Sequence, residues 1–189
     1  MPTSVSTISD CVDHAFNPNL INSPRPTLDS IIVKPMHSNK THRTGSLKIN
    51  GKSLPSQKEW SIEGRALVTD VPITYLGYVN RDTGIIEEKG HPLDGTAIED
   101  TILIYPKGSG STVAPFVLMG LIYTGKGPKA IVNCDVCPLT LPAASLLNVP
   151  YAHGFESNPT LEVNTGDQVS VKLNGGVVNL SVMSRVSED

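Results

Sequence analysis

The sequence predicts an α/β domain preceded by an extended arm, and three observations carry that expectation. Apolar runs of strand length alternate with two longer runs of helical spacing between residues 59 and 152; two apolar-alternating segments flank Asn174-Gly175-Gly176; and the first 56 residues show neither pattern. The domain is therefore expected over residues 57–189 and the arm over residues 1–56.

In the arm, the stretch FNPNLINSPRP is dense in proline and asparagine, aromatics are few, and Ile31 to Val33 is the one short branched run. Such a composition buries too little apolar surface to fold alone, so removal of residues 1–50 is expected to leave the core folded. The texture changes at Glu59, where Trp60, Ile62, Ala66 and Val68 alternate as in a strand over 59–69. Further strands are expected at 101–105 (from TILIYP), 129–133, 149–152, 168–173 and 176–182, the last two joined as a hairpin by residues that tolerate positive φ. Helices are expected at 112–124, where Val113, Phe116, Val117, Gly120 and Leu121 recur at helical intervals, and at 139–147. Pro115 and Pro142 fit the first turn of each, where a missing N–H breaks no bond.

Composition excludes several function classes. The chain has 189 residues, 39% of them apolar, and a formal charge of −3, which gives no reason to expect a nucleic-acid partner. No stretch approaches the roughly 20 apolar residues of a membrane span. The N-terminus carries no basic stretch followed by an apolar core, and Asp10 and Asp13 oppose a mitochondrial presequence, so the cytoplasm is the expected compartment.

The segment with the most chemical potential is Pro106 to Val113 (PKGSGSTV), a small-residue loop between a buried strand and a helix. Gly108 and Gly110 permit a sharp turn, and Ser111 and Thr112 stand where the helix is expected to begin. Free N–H groups and the partial positive charge of a helix start suit a carboxylate, phosphate or developing oxyanion. Serine and threonine are also preferred helix caps, and on spacing alone capping is the commoner role. The loop lacks the Lys-Ser/Thr ending of a phosphate-binding P-loop and the glycine spacing of a hydrolase elbow. Cys134 and Cys137 form a CxxC pair, but two thiols supply at most two metal ligands and Cys11 is distant in sequence; small residues at a strand end is the simpler reading. Asp70 and His91, each close to a proline, suit turn and loop roles, and Arg81, Lys89 and Lys107 suit solvated positions, with Lys107 beside the loop able to hold an anion.

Motifs in a fixed order carry a family resemblance: GRALVTDVPI from Gly64, Tyr75-Leu76-Gly77, Asp82-Thr83-Gly84, His91-Pro92-Leu93-Asp94-Gly95 and the Pro106–Val113 loop, with Lys129 to Asn133 and Thr165 to Val169 further on. Together they resemble the small subunit of the aconitase X family, from about Glu59 to the end of the terminal hairpin. The resemblance implies a swivelling β/β/α domain like the mobile domain of aconitase. It also implies a large partner subunit that holds an iron or iron–sulfur centre, with none bound by this chain alone. The implied activity is dehydration of a small hydroxy acid, either cis-3-hydroxy-L-proline or mevalonate 5-phosphate, and the modest charge content of 17% favours the former over the archaeal substrate. Ser111 aligns with the proton-abstracting serine, with Gly110 and Thr112 as donors to substrate. Ser109, Ala114 and Pro115 depart from the family pattern, in which a basic residue, Gly and Ser often stand.

Two other classes stay open on the sequence. A self-contained serine hydrolase would need His91 or His153 beside Ser111. A non-catalytic anion-binding module would use the same helix start without proton transfer.

Overall fold

Two short segments, ILIY and AIVN, are apolar almost throughout, the pattern of parallel strands covered on both faces. The computed structural model describes residues 47–186. Its elements run β1 (Lys48–Ser53), β2 (Trp60–Val68), β3 (Ile73–Thr74), the short turn α1 (Tyr75–Tyr78), β4 (Ile102–Tyr105), β5 (Gly108–Ser109), α2 (Ala114–Tyr123), β6 (Ala130–Asn133), α3 (Leu141–Leu146), β7 (Tyr151–His153), α4 (Pro159–Glu162), β8 (Gln168–Asn174) and β9 (Val177–Ser184).

Seven strands close into a barrel in the order β1-β7-β6-β4-β2-β8-β9, and β9 returns to pair with β1. The neighbours β2, β4, β6 and β7 are mutually parallel, which requires crossovers, and α2 and α3 supply two of them. The barrel wall is completed by β8, β9 and β1, which pair antiparallel. Alternation along the strands then divides the core. Ala66, Val68, Ile102, Ile104, Ala130, Val132, Val169, Val171, Val178 and Leu180 pack together as one cluster. The alternate residues Leu67, Leu103, Tyr105, Ile131 and Tyr151 pack with residues of α1, α2 and α3 in a second. With no such helical cover, β9 shows the one-sided alternation of a half-exposed strand.

The expected α/β architecture is present, and the six expected strands and two expected helices are found with ends displaced by no more than two residues. The expected domain start at residue 57 is corrected by β1: Lys48–Ser53 pairs with both β9 and β7 and closes the barrel. The segment KINGKS offers Ile49 as its one large apolar residue, so its burial is decided by partners and not by its own pattern. Its Gly51 is a packing requirement, since a Cβ there would lie 2.8 Å from the Phe155 ring and 3.0 Å from the carbonyl of His153. Removal of residues 1–50 would thus cut into the barrel. Cys11 and the run Ile31 to Val33 lie outside the described residues. Among the described residues no helix is long and apolar enough to cross a membrane.

Candidate functional site

Because β2, β4, β6 and β7 run parallel, the segments after Val68, Tyr105, Asn133 and His153 all leave the barrel at one end. In sheets of this kind, the carboxyl ends of the strands are where ligand sites are built. The serine loop is one of these segments. After Pro106 and Lys107 it forms β5, which pairs in parallel with β3, and Ile73 N–H donates to the Lys107 carbonyl at 3.2 Å. Gly110 follows at φ +89°, and a Cβ there would approach Thr74 Cγ2 to 3.0 Å, so both its backbone conformation and its neighbour call for glycine. The chain then presents Ser111 and Thr112 to solvent.

The start of α2 differs from expectation. Ser111 and Thr112 do not cap the helix: Val113 occupies the cap position without a side-chain bond, and Pro115 falls in the first turn, as its missing N–H allows. Ser111 instead ends the loop in a local turn of its own, its Oγ accepting from Val113 N–H at 3.2 Å and its carbonyl accepting from Ala114 N–H at 2.9 Å. Among the turn and cap bonds of the described residues, none is donated by the N–H of Gly110, Ser111 or Thr112. An exposed hydroxyl therefore lies in a stretch of three consecutive N–H groups that make no such bond.

Behind the loop lies a buried polar network that the sequence pattern does not announce. Tyr75 and Tyr105 share a hydroxyl–hydroxyl bond of 2.7 Å with their rings edge to face, and Tyr105 also meets Thr140 Oγ1 at 3.0 Å. Asn133 donates from Nδ2 to the Tyr105 carbonyl at 3.1 Å, and Tyr151 OH accepts from Cys137 N–H at 3.0 Å. Burial pushes the Tyr105 hydroxyl up to about 12 and raises Tyr75 as well, with the neighbouring Tyr105 adding to the latter. These hydroxyls stay protonated near neutral pH and act as scaffold. Tyrosines at the ends of otherwise aliphatic strands were the available signal, since a buried phenol needs a partner.

The other candidates are not gathered around Ser111. His91 is buried with Nδ1 accepting from Leu93 N–H at 3.0 Å, a loop-stabilising role, and His153 sits on β7 opposite Lys52. Burial first, and then Lys52, lower the His153 pKa, against a smaller opposite effect of Asp135. Neither imidazole bonds to Ser111, so the pair that a serine hydrolase needs is not formed among the described residues. Thr69, not Asp70, makes the turn after β2, its Oγ1 accepting from Val71 N–H at 3.0 Å, while Asp70 is exposed. Arg81, Lys89 and Lys107 are exposed as expected. The two thiols have separate partners: Cys134 faces Asn158 Oδ1 at 3.2 Å, and the Cys137 sulfur accepts from Gly108 N–H at 3.1 Å. Among the described residues no three His, Cys, Asp or Glu side chains converge to hold a metal.

Comparison with known proteins agrees with this architecture. The family described as the aconitase X swivel domain matches residues 49–180. The phosphomevalonate dehydratase small subunit of Methanocella arvoryzae is 37% identical over 118 residues, which is 62% of this chain and 89% of that protein. The protein of the same name from Methanosarcina acetivorans is 32% identical over 134 residues, covering 71% of this chain and 91% of its own length. Among solved structures, the holo-form of Thermococcus kodakaraensis aconitase X superposes with a TM-score of 0.62 at 28% identity, over 71% of this chain and 98% of that one. With all of β1 but Lys48 inside the matched region and the serine loop at its centre, the chain belongs to the aconitase X family, as its swivel domain.

Proposed function

We propose that this chain is the small subunit of an aconitase X-type hydro-lyase and that Ser111 is its proton-abstracting base. The observation that carries the reading is the exposed Ser111 hydroxyl in the same stretch as the N–H groups of Gly110 to Thr112, with no acid or base among the described residues bonded to it. Such a serine has the donors for an oxyanion but not the rest of a site. A serine hydroxyl acts as a base only when its alkoxide is stabilised, and three N–H groups supply part of that stabilisation. The remaining positive charge is assigned to the large partner subunit together with the iron centre. In the step given to this chain, Ser111 Oγ takes the proton from the carbon beside the substrate carboxylate. The C–H electron pair becomes the new double bond as the C–O bond on the adjacent carbon breaks, and the oxygen leaves with that bond's electrons as hydroxide, whose departure the centre on the large subunit would assist.

The rim supports a partner. Val71, Val113, Phe116 and Val136, on or next to the segments that leave β2, β4 and β6, are exposed apolar side chains around this end of the barrel. Relatives named phosphomevalonate dehydratase small subunit support mevalonate 5-phosphate as the substrate, ahead of the cis-3-hydroxy-L-proline that composition favoured. A soluble complex in the cytoplasm is part of the same reading.

The test is reconstitution with the large subunit and assay of both substrates. Mevalonate 5-phosphate is expected to be dehydrated, and Ser111→Ala to lower turnover by about 100-fold to 10,000-fold, while Ser109→Ala is mild. Near-normal turnover by Ser111→Ala would remove Ser111 as the base. Turnover of cis-3-hydroxy-L-proline alone would reverse the substrate assignment and leave the serine's role intact.

A further inference from the structure

The serine loop is tied to the barrel from behind by one side chain. Cys137, 2% exposed, lies on the segment that leaves β6, and its sulfur accepts the Gly108 N–H at 3.1 Å. Backbone bonds on both sides fix that sulfur. Cys137 N–H donates to Tyr151 OH at 3.0 Å, and its carbonyl accepts from Thr140 and Leu141 N–H at 3.0 and 2.9 Å as α3 begins. Gly108 is closely packed on its side-chain face: a Cβ there would meet Leu139 Cβ at 3.2 Å, Thr140 Oγ1 at 3.4 Å and the Cys137 sulfur at 3.6 Å.

From this pinned glycine the chain runs through Ser109 and Gly110 to Ser111. The other ties of the loop are the Cys134 N–H donated to the Pro106 carbonyl at 3.3 Å, at the loop's start, and the pairing of β5 with β3, two residues long, which is a weak constraint on position. A buried N–H that loses its acceptor is costly, so the loop would shift to satisfy it. That shift would carry Ser111 with it.

We propose that Cys137 is a positioning residue for Ser111, acting through Gly108 to hold the loop where the hydroxyl meets substrate. The inference rests on the reading of Ser111 as the base. Its chemistry is that of an acceptor, so Cys137→Ser preserves it, whereas Cys137→Val, apolar and slightly larger, removes it.

The full-length chain reconstituted with the large subunit provides the test, with Cys137→Val, Cys137→Ser and Ser111→Ala compared. Cys137→Val is expected to lower kcat about fivefold to tenfold, the loss of one neutral hydrogen bond, with KM within about twofold. Amide exchange at Gly108, read by NMR on the full-length chain, is expected to accelerate in Cys137→Val and to return toward normal in Cys137→Ser, as is kcat. Wild-type kcat and Gly108 exchange in Cys137→Val would overturn the proposal, and so would equal impairment of the Ser and Val variants. Should Cys137→Val fail to fold, Cys137→Ala removes the acceptor without the branched side chain and is read in the same way. Full turnover by Ser111→Ala strikes the reading of the base and leaves the Gly108 exchange to judge the tether. Inactive Ser111→Ala beside unimpaired Cys137→Val strikes the tether alone.

Discussion

Gly110 does at one position what the whole loop requires. Its φ of +89° is a region that L side chains adopt at a cost of roughly 1–2 kcal/mol, and a Cβ would also press on Thr74 Cγ2 at 3.0 Å. Gly110→Ala is therefore expected to lose about 1–2 kcal/mol in urea denaturation. It should also lower turnover of the reconstituted complex by at least about tenfold, since a 1 Å displacement of a reacting group is worth about 100-fold. Equal stability and turnover in this variant would mean that the turn relaxes without moving Ser111. Ser111 shows the complementary case of a residue whose identity was legible but whose local role was not. A cap was a reasonable expectation for a serine before an apolar run, yet Pro115 lets α2 begin at Ala114 and leaves Ser111 in a turn of its own.

The parallel strands and the helices over them are joined by buried phenols. Tyr75 and Tyr105 sit in the apolar layer between the barrel wall and the helices, and desolvation makes their ionisation in the folded state harder than in the unfolded chain. The sign follows directly. Near pH 10 the unfolded chain releases these protons while the folded chain keeps them, for Tyr105 up to about 12, so stability falls as pH rises through that window. The slope approaches about 1.4 kcal/mol per pH unit for each tyrosine. Urea denaturation at pH 9, 10 and 11 should show this decline, and Tyr105→Phe should make it shallower. Stability that is flat across the same range would show that the phenols ionise in the folded state at their ordinary value. A different element, the turn before β8, is held by the buried Asp167, which accepts from Asn164 N–H, Val186 N–H and Arg185.

At the scale of the whole molecule, closure of the barrel depends on β1. It covers edges of both β9 and β7, and without it two strands would present unpaired N–H and C=O groups while Ile49 left the interior. A chain lacking residues 1–46 is expected to keep a cooperative thermal transition, and a chain lacking residues 1–53 to lose it or aggregate, as followed by circular dichroism. A cooperative transition in the shorter chain would mean that the barrel tolerates an open seam. The exposed apolar rim at the carboxyl ends of the parallel strands is the surface proposed for the large subunit. Phe116 is 69% exposed, so Phe116→Glu should change the stability of the isolated chain by less than about 0.5 kcal/mol. Its affinity for the large subunit should fall by at least about tenfold, measured by titration calorimetry. Unchanged affinity would place the partner elsewhere.

By itself the sequence determined the alternation of strands and helices from Glu59 onward, the terminal hairpin around Asn174-Gly175-Gly176, and the loop in which Ser111 lies, because each is written in local periodicity and turn chemistry. It also determined the family, since the order and spacing of its motifs are properties of the chain alone. Only the tertiary structure decided that the sheet closes through β1, a segment with one large apolar residue whose strand state comes entirely from its partners. The structure alone, likewise, brought Cys137 to Gly108 and Tyr75 to Tyr105, contacts between residues about thirty positions apart in sequence. Hydrogen bonds of that kind depend on which strand ends lie side by side, and the parallel order of β2, β4, β6 and β7 is a property of packing that no single segment encodes.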